Sequence, residues 1–302
     1  MSFFINKLAI IGVGLIGGSI AKALKSAGLV GEVVGVNRSA TNLATALEMG
    51  VIDHGTHSVV EAVSGADLIV VATPVSTVVP MVAQFAPALD DGAVVTDVGS
   101  VKGEIVAGCD AILTGKSYFV GSHPIAGREY AGVEAALTDL FVDTKTLVTP
   151  SATTHGPAVK KVTQLWEALG SKVETMDPAY HDQVLAATSH LPHLIAFNLM
   201  RTLSDIEDRI PDRIFRLAAG AGFRDSTRVA SSDPAMWRDV CLENRDSIVE
   251  ILERFHADLG RMTERVKKGD AEGLYGIFSR SKATRDRILV GGAQDGEGES
   301  GE

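Results

Sequence analysis

Short apolar runs rich in β-branched residues recur through the first half of the chain, and stretches with the spacing of amphipathic helices separate them. Runs of this kind, bounded by glycine, proline or polar turn residues, predict strands. They are found at 7–11, 32–36, 66–72, 93–97 and 118–121. The segments that start at Ser19, Ser76 and Val101 predict helices. Strands that alternate with helices are typical of an α/β fold with a doubly wound parallel sheet.

The pattern changes after residue 150, and from Pro157 onward it is almost entirely helical. Apolar positions at helical spacing predict helices at 158–169, 178–188, 193–206, 211–218, 234–259 and 271–287. We therefore predict an α/β domain over residues 1–150 and an all-α domain over residues 151–290. The apolar stripe over 246–262 suits a packed helix and a dimer interface equally well.

Composition and charge narrow the class of protein. With 302 residues, 45% of them hydrophobic, the chain is long enough to form two cores. It has no uncharged apolar run of about twenty residues and no signal-peptide pattern at 1–6, so we predict a cytosolic (cytoplasmic) location without a membrane partner. The net charge of −10 argues against a nucleic-acid partner. The acidic, glycine-rich tail over 291–302 has little to bury, and we predict that it is disordered.

A glycine-rich segment, Gly12-Val13-Gly14-Leu15-Ile16-Gly17, directly follows the first predicted strand. In the G-x-G-x-x-G pattern the first glycine permits a tight turn, the second lets the backbone approach a pyrophosphate, and the third lets the helix pack on the strand. Glycines also serve in plain turns, but here a predicted helix and a second predicted strand follow in the required order. The segment therefore predicts a Rossmann-like fold for the α/β domain and dinucleotide binding by these residues.

The position about twenty residues beyond this fingerprint indicates which nicotinamide cofactor is bound, since an acidic side chain there accepts from a free ribose 2′-hydroxyl and repels a 2′-phosphate. The second predicted strand leads here into Asn37-Arg38-Ser39, a neutral amide, a guanidinium suited to phosphate and a hydroxyl. A solvated loop arginine is the alternative interpretation of Arg38. We predict that Asn37, Arg38 and Ser39 bind the cofactor and that NADP is favoured over NAD.

Three loops follow the carboxyl ends of predicted strands, where α/β sheets bind ligands. They carry Thr73-Pro74, Gly99-Ser100 and His123. A histidine exchanges protons near neutral pH because its ordinary pKa is about 6.5, so we predict that His123, at the mouth of the sheet, is the catalytic base. Thr73, Pro74 and Gly99 are predicted to contact the cofactor. Ser100 can donate to His123 or to the cofactor, or cap the following helix near Glu104, and the two roles do not exclude each other.

Two histidines flank a proline in Ser189-His190-Leu191-Pro192-His193, where the proline disturbs the helical hydrogen bonds and frees backbone groups. Metal binding by these histidines with His181 and Asp182 is the weaker interpretation, because the pair spans the proline and neither of the two cysteines has ligand spacing. We predict no metal and no disulfide. Polar contact with a substrate is the preferred interpretation of His193, and a structural role is the alternative for His190.

The segment from Gly222 to Arg228 places two arginines and an aspartate before a predicted helix. An arginine can bind a carboxylate through two parallel hydrogen bonds, so this segment predicts an anion contact. An internal ion pair of an arginine with Asp225 is the alternative. Trp237 follows in the next helix, where packing is the commoner role of a tryptophan.

Taken in chain order, these motifs resemble those of the prephenate and arogenate (cyclohexadienyl) dehydrogenases of tyrosine biosynthesis. The resemblance covers residues 5 to 288 and includes histidine motifs that the wider set of dinucleotide-binding dehydrogenases does not share. Asn37-Arg38-Ser39 departs from the acidic residue of the members that use NAD. The segments that carry the resemblance are Gly12 to Gly17, Asp97 to Lys102, Ser122 to Gly127, His181-Asp182, Ser189 to His193 and Phe223 to Arg228.

The resemblance implies an NAD(P)-dependent oxidative decarboxylation of prephenate or arogenate, which yields 4-hydroxyphenylpyruvate or tyrosine. It implies that His123 accepts the proton of the ring hydroxyl and that Ser100 orients His123 and the nicotinamide. It also implies a homodimer formed through the helical domain. It implies that His193 and Arg228 hold the substrate, with Arg228 on a carboxylate. The further predicted substrate contacts are Ser189, His190, Asp225 and Trp237.

Two other functions fit the same scaffold. A 3-hydroxyacid-type dehydrogenase would need a catalytic centre other than His123, and a non-catalytic NADP-sensing protein would leave His123 idle. The preference for prephenate or arogenate stays open, because the two differ in a keto or an amino group and a single contact can reverse the preference.

Overall fold

The computed structural model describes residues 3–127, 131–206, 210 and 212–290. The predicted disordered tail over 291–302 lies outside these residues. The chain divides into two compact units, residues 1–248 and residues 249–302. The domain boundary at residue 150 stays a prediction.

An eight-stranded sheet forms the centre of the first unit. Its strands are β1 (Ile5–Ile11), β2 (Val30–Val36), β3 (His54–Thr56), β4 (Leu68–Val71), β5 (Val94–Asp97), β6 (Tyr118–Pro124), β7 (Lys145–Thr149) and β8 (Lys172–Thr175). They lie in the order β3-β2-β1-β4-β5-β6-β7-β8, and every neighbouring pair is parallel except β6 and β7. The order runs outward from β1 in both directions, which confirms the predicted doubly wound, Rossmann-like sheet.

Helices cover the sheet and make up most of the chain after β8. Within the described residues they are α1 (Leu15–Ser26), α2 (Ala40–Glu48), α3 (Val59–Val63), α4 (Val78–Phe85), α5 (Gly103–Ile112), α6 (Gly156–Ala168), α7 (Pro178–Leu185), α8 (Leu191–Ser204), α9 (Asp212–Ala218), α10 (Ala221–Thr227), α11 (Pro234–Glu243), α12 (Arg245–Lys268) and α13 (Ala271–Val290). The helical C-terminal part of the predicted fold is therefore confirmed.

Both faces of the sheet are buried, as the nearly unbroken apolar runs of its strands require. In β1, Leu8 and Ile10 face one core, which Trp166 of α6 completes. Ala9 and Ile11 face the other core, which includes Val78 of α4. Trp237 and Val240 of α11 belong to this second core, so α11 packs on the same face of the sheet as α4. Each fully buried large side chain of this kind contributes about 1.5–3 kcal/mol to stability.

The structure corrects two sequence predictions in the helical half. The short strand β8 was not predicted, because its pattern is mostly exposed and polar and carries little hydrophobic signal. The single helix predicted over 234–259 is broken at Asn244, whose backbone (φ −108°, ψ 38°) leaves the helical region between α11 and α12.

A π-helical turn over Ala186–His190 joins α7 to α8. Pro192 lies in the first turn of α8 and has no backbone N–H, so the regular pattern of i to i−4 hydrogen bonds cannot continue through it. The predicted disturbance at Pro192 is therefore confirmed. The widened turn directly precedes the segment that carries both histidines.

The second unit consists of the C-terminal part of α12 and of α13. A turn joins the two helices, and there Asp270 accepts from the backbone N–H of Gly273 at 2.9 Å and pairs with Arg265. None of the helices among the described residues is long and apolar enough to cross a membrane. Exposed large apolar side chains of this unit are Val249, Leu252, Leu259, Val266, Tyr275, Phe278, Ile288 and Leu289.

Candidate active site

His123 lies in β6, where this strand leaves β5 and pairs with β7. The pairing of β5 with β6 ends at Val120, and from Gly121 to Pro124 the partner is the antiparallel strand β7, with His123 opposite Leu147. The predicted loop is therefore a strand, because β7 extends β6 beyond its parallel pairing. His123 still lies past the carboxyl end of β5, on the edge of the sheet where ligands bind.

A hydrogen-bonded chain begins at this histidine. Nδ1 of His123 lies 2.9 Å from Nε2 of His181, and Nδ1 of His181 lies 2.8 Å from Oδ1 of Asp182. Both partners lie in the first turns of α7, which begins at Pro178 and is capped by Asp177 through the N–H groups of Ala179 and Tyr180. The helix start thus places His181 against the sheet.

Asp182, the last side chain of this hydrogen-bonded series, binds the backbone at the start of α5. Its Oδ1 accepts from the N–H of Lys102 at 2.8 Å, and its Oδ2 accepts from the N–H of Gly103 at 2.7 Å. These are free N–H groups at the start of α5, so Asp182 caps a helix about eighty residues earlier in the chain. The capping role predicted for Ser100 is therefore wrong, since α5 begins at Gly103 and is capped from α7.

The surroundings of His123 favour its neutral form. Burial lowers the pKa of His123 well below 6.5, and the neighbouring His181, Lys102 and His190 lower it further. The residue is half-buried, and His181, Lys102 and His190 lie close to its ring. A neutral imidazole has one nitrogen lone pair that can accept a proton, so His123 is in the form that a base requires at neutral pH.

Lys102 lies behind His123 and is fully buried. Its ammonium pairs with Asp97 and donates to the carbonyl of Ser122 at 3.0 Å, in the residue before His123. Asp97 in turn accepts from the N–H of Gly99 at 2.8 Å. This buried pair ties the loop after β5 to β6, and the sequence interpretation did not single out Lys102.

Ser100 lies in this loop and is half-buried. Among the described residues, no hydrogen bond joins its hydroxyl to His123 or to any other group. The orienting role that the resemblance implies for Ser100 is not visible in the protein alone and stays a prediction.

His190 is buried beside the hydrogen-bonded chain. Nδ2 of Asn244 donates to the carbonyl of Asp182 at 2.8 Å and lies 3.2 Å from Nδ1 of His190. A carbonyl only accepts, so the Asn244 atom that contacts it is the amide nitrogen, and Nδ1 of His190 is therefore an acceptor. In neutral His190 the proton then lies on Nε2, which is buried and has no hydrogen-bond partner among the described residues.

Protonation of His190 should lower the stability of the protein. Burial lowers the pKa of His190 to about 4, although Asp182 opposes this shift. An unfolded histidine has a pKa of about 6.5, so below that pH the unfolded state binds the proton first. The stability that depends on neutral His190 is complete above pH 6.5 and decreases by about 3 kcal/mol as the pH falls to 4.

Urea denaturation of the wild type and of His190→Asn between pH 7.5 and pH 4.5 measures this dependence. Asparagine keeps an acceptor for Asn244 and does not titrate, so the variant should lose less stability with acid than the wild type. Parallel pH profiles of the two proteins would contradict the prediction.

His193 and Trp237 form a stacked pair next to His190. The rings of His193 and Trp237 lie 3.9 Å apart at 25°, and His190 meets Trp237 edge-on at 5.9 Å. Nδ1 of His193 lies 2.9 Å from the carbonyl of Ser189, so it carries the proton and Nε2 of neutral His193 is an acceptor. The indole N–H of Trp237 is buried and lacks a partner among the described residues. Two unpartnered N–H groups, on His190 and Trp237, therefore lie on one aromatic cluster.

A hydrogen bond fixes α11, which carries Trp237, to the loop after β4. Ser76 donates to Asp239 at 2.7 Å. In the same loop Thr77 donates to Thr73 at 2.9 Å and to the carbonyl of Pro74 at 2.7 Å. The loop predicted to contact the cofactor is thus connected to the helix that carries the aromatic cluster.

Arg228 begins the 3-10 turn Arg228–Ser231, which packs against α8. Both Arg228 and Asp225 are exposed and line an open cavity of about 580 Å³. Arg224 lines the same cavity and donates to the carbonyl of Ala219 at 2.9 Å. The other residues of the lining are Met200, Thr227, Ala230 and Ser231.

The described residues contain no group of three or more histidine, cysteine, aspartate or glutamate side chains that could hold a metal. Both ring nitrogens of His181 are engaged in hydrogen bonds, which leaves neither for a ligand bond. Cys109 and Cys241 are free thiols, and burial raises the pKa of both.

The glycine-rich segment after β1 has the geometry of a phosphate cradle. Gly12 has a φ of +100°, and a Cβ there would lie 2.4 Å from the carbonyl oxygen of Ala72. A Cβ on Gly17 would lie 2.3 Å from the carbonyl oxygen of Gly12, so only glycine lets α1 pack this closely. Gly14 is the N-cap of α1 and supplies no side-chain cap, and nothing lies within 4 Å of the Cβ it lacks. The first N–H groups of α1 therefore face open space, where a pyrophosphate fits.

The three residues between the glycines of the fingerprint, Val13, Leu15 and Ile16, pack as a strand-turn-helix segment requires. Val13 is buried, while Leu15 and Ile16 form the first turn of α1. Gly99, in the loop after β5, is buried against Val75, which a Cβ would approach to 3.0 Å. The backbone of both loops can therefore come close to a ligand.

The Asn37-Arg38-Ser39 segment follows β2 on the same edge of the sheet. The side-chain oxygen of Asn37 accepts from the N–H of Ser39 at 3.0 Å, and Ser39 caps α2 by accepting from the N–H of Asn42 at 3.2 Å. Arg38 is exposed, and among the described residues its guanidinium has no hydrogen-bond or ion-pair partner. The segment therefore presents an available cation beside the glycine-rich turn.

Comparison with known proteins adds a family to this geometry. The family model for the nucleotide-binding domain of prephenate dehydrogenase matches residues 20–175, and the model for its dimerization domain matches residues 177–280. The chain belongs to the prephenate dehydrogenase family. It is therefore an NAD(P)-dependent oxidoreductase of tyrosine biosynthesis, as the resemblance implied.

Individual members of this family align over nearly the whole chain. Prephenate dehydrogenase of Bacillus subtilis is 36% identical over 94% of this chain and 76% of its own length. Cyclohexadienyl dehydrogenase of Zymomonas mobilis is 36% identical over 92% of this chain and 94% of its own. The crystal structure of A. aeolicus prephenate dehydrogenase with hydroxyphenyl propionate and NAD+ is 37% identical, with a TM-score of 0.86 over 95% of this chain and 100% of that one.

Of the three functions that the sequence left open, these matches support the first. A 3-hydroxyisobutyrate dehydrogenase shares only the fold with this chain, at 15% identity and a TM-score of 0.52. Prephenate dehydrogenase family membership also accounts for the nucleotide cradle after β1. It does not by itself assign a role to any side chain around His123.

Proposed function

We propose that the chain oxidises and decarboxylates a cyclohexadienyl substrate, prephenate or arogenate, with His123 as the base. The observation that carries this proposal is the position of the half-buried His123 on the same edge of the sheet as the nucleotide cradle. Burial also lowers the pKa of His123, which favours the neutral form. Bound NAD(P) would supply the acceptor for a hydride. A protein base next to that acceptor suits removal of a hydroxyl proton while hydride leaves the same carbon.

The chemistry of the ring explains why one base is sufficient. Nε2 of His123 takes the proton of the ring hydroxyl as the carbon beneath it loses hydride and becomes a ketone. The bond between the ring and its carboxylate then breaks, its electron pair flows to the ketone oxygen, and carbon dioxide leaves. The ring becomes aromatic, and the phenolate oxygen recovers the proton from His123. Protons and electrons balance without a second catalytic acid.

The substrate is proposed to lie between His123 and the aromatic cluster. Nε2 of neutral His193 can accept a hydrogen bond from the substrate, and His190 and Trp237 are proposed to line this side of the substrate site. Arg228 is proposed to bind a substrate carboxylate through its planar fork of donors. Asp225 and Ser189 are proposed as further substrate contacts. Ser100 is proposed to orient His123 and the nicotinamide.

Initial rates of reduced-nicotinamide formation, with prephenate and arogenate each paired with NAD and NADP, test this function. Turnover in at least one pairing is expected, and the ratios give both preferences. Absence of turnover in all four pairings, with NADP binding intact, would contradict the proposal.

We also propose that NADP is favoured over NAD. The supporting observations are the neutral Asn37, at the position where NAD-using members carry an acidic residue, and the exposed guanidinium of Arg38 next to it. Replacing Arg38 with alanine should lower kcat/KM for NADP by about 10- to 100-fold, the effect of losing one charge-assisted hydrogen-bond group. Turnover with NAD on the same variant is the internal control and should change little. Equal losses with both cofactors would contradict a 2′-phosphate contact.

A homodimer is proposed through the helical part of the chain. The match to a dimerization domain over residues 177–280 supports it, as do the exposed apolar side chains of α12 and α13.

A further inference from the structure

The hydrogen-bonded chain behind His123 determines which of its nitrogens carries a proton. It runs from the N-terminus of α5 through Asp182 and His181 to Nδ1 of His123, with distances of 2.7 to 2.9 Å at every step. His181 is fully buried and Asp182 nearly so. The side chains of His181 and Asp182 are therefore shielded from water, which would otherwise exchange the roles of donor and acceptor.

The direction of each hydrogen bond follows from the backbone end of the chain, where the groups can only donate. The backbone N–H groups of Lys102 and Gly103 can only donate, so both carboxylate oxygens of Asp182 are acceptors. Nδ1 of His181 must then carry the proton that it shares with Asp182. Nε2 of neutral His181 is left as an acceptor, and the proton between the two rings belongs to Nδ1 of His123.

We infer that His181, oriented by Asp182, is a positioning residue that keeps the proton of His123 on Nδ1 and so presents the Nε2 lone pair to the substrate. This inference rests on the proposed function of His123 as the base. When His123 takes the substrate proton, its Nδ1–H already donates to His181, and the hydrogen bond strengthens without any movement of either ring. The His181-Asp182 pair thus acts on the reaction through His123 alone.

Two variants of His181 separate positioning from packing. His181→Leu fills the space and offers no acceptor, so kcat/KM should fall by about 10- to 100-fold, as for other residues that orient a catalytic group. His181→Gln places a carbonyl oxygen near the former Nε2 and should recover most of this loss. In both variants the loss should fall on kcat with little change in KM or in NADP binding, because His181 is fully buried and its ring nitrogens contact His123 and Asp182.

The tautomer itself can be measured without turnover. In protein labelled with 15N-histidine, NMR should show His123 with a protonated Nδ1 and an unprotonated Nε2, with the signals assigned by their loss in His123→Asn. A proton on Nε2 of wild-type His123 would overturn the inference, and so would His181→Leu with the wild-type kcat. Absence of turnover in the wild type would instead refute the proposed function, while the NMR result would still decide the tautomer.

Discussion

Replacing His123 with asparagine should lower kcat by about 10²- to 10⁴-fold, the range that a well-placed general base contributes. The amide group of asparagine occupies the place of the first ring atoms of histidine, and it is polar enough to remain beside His181. The strand should therefore keep its pairing with β7. Its amide cannot take a proton at neutral pH, and the hydroxyl proton would have to leave for water. Steady-state rates at pH 7.5 measure the loss.

The binding of NADP provides the control for this variant. His123 lies in β6, whereas the proposed phosphate contacts lie after β1, so the Kd of NADP measured by calorimetry should be unchanged. The kcat of the wild type should also stay level down to about pH 6.5, since burial keeps the pKa of His123 below that value. Activity that survives in His123→Asn with cofactor binding intact would exclude His123 as the base.

Replacing Arg228 with methionine should raise KM for the substrate by about 10- to 150-fold, which corresponds to the loss of hydrogen bonds to a charged group, about 1.5–3 kcal/mol. Methionine keeps much of the length of the side chain and removes the planar fork. Arg228→Lys keeps the charge but not the paired geometry, so an intermediate KM is expected. The KM for NADP should not change.

Arg224 is the matched control for this prediction. It lies one helical turn before Arg228, lines the same cavity and carries the same charge. Because the substrate carboxylate is proposed to bind Arg228 and not Arg224, Arg224→Met should have a much smaller effect on KM than Arg228→Met. Equal effects of the two substitutions would show that the cavity attracts the substrate by charge alone.

Much of the fold could be predicted from local patterns. The strand runs of the first half, the glycine turn after β1 and the helical spacing of the second half are signals contained within short windows of sequence. The limits of β6 could not be predicted in this way, because four of its residues pair with an antiparallel strand more than twenty residues later. The strand β8 was missed for a related reason, since pairing with β7 and not apolar content makes it a strand.

The chemistry around His123 shows the same division. His123 stands out in the sequence because glycines and a strand surround it, whereas the role of His181 depends on a partner 58 residues away. The capping of α5 by Asp182 was beyond reach of a sequence pattern, and the local candidate, Ser100, was the wrong one. The helix predicted over 178–188 does place His181 and Asp182 on α7, which starts at Asp177-Pro178, but no local pattern indicates that this helix contacts His123. Asn244 offers no such signal, because its contacts form where two helices meet.

Oxidation coupled to decarboxylation is tested most directly by counting both products of one reaction. The purified protein is incubated with NADP and substrate labelled with 14C in the ring carboxylate, and reduced nicotinamide and released carbon dioxide are measured together. One carbon dioxide for each reduced nicotinamide is expected, with both lost in His123→Asn. Reduced nicotinamide without carbon dioxide, or carbon dioxide without reduction, would contradict oxidative decarboxylation at this site.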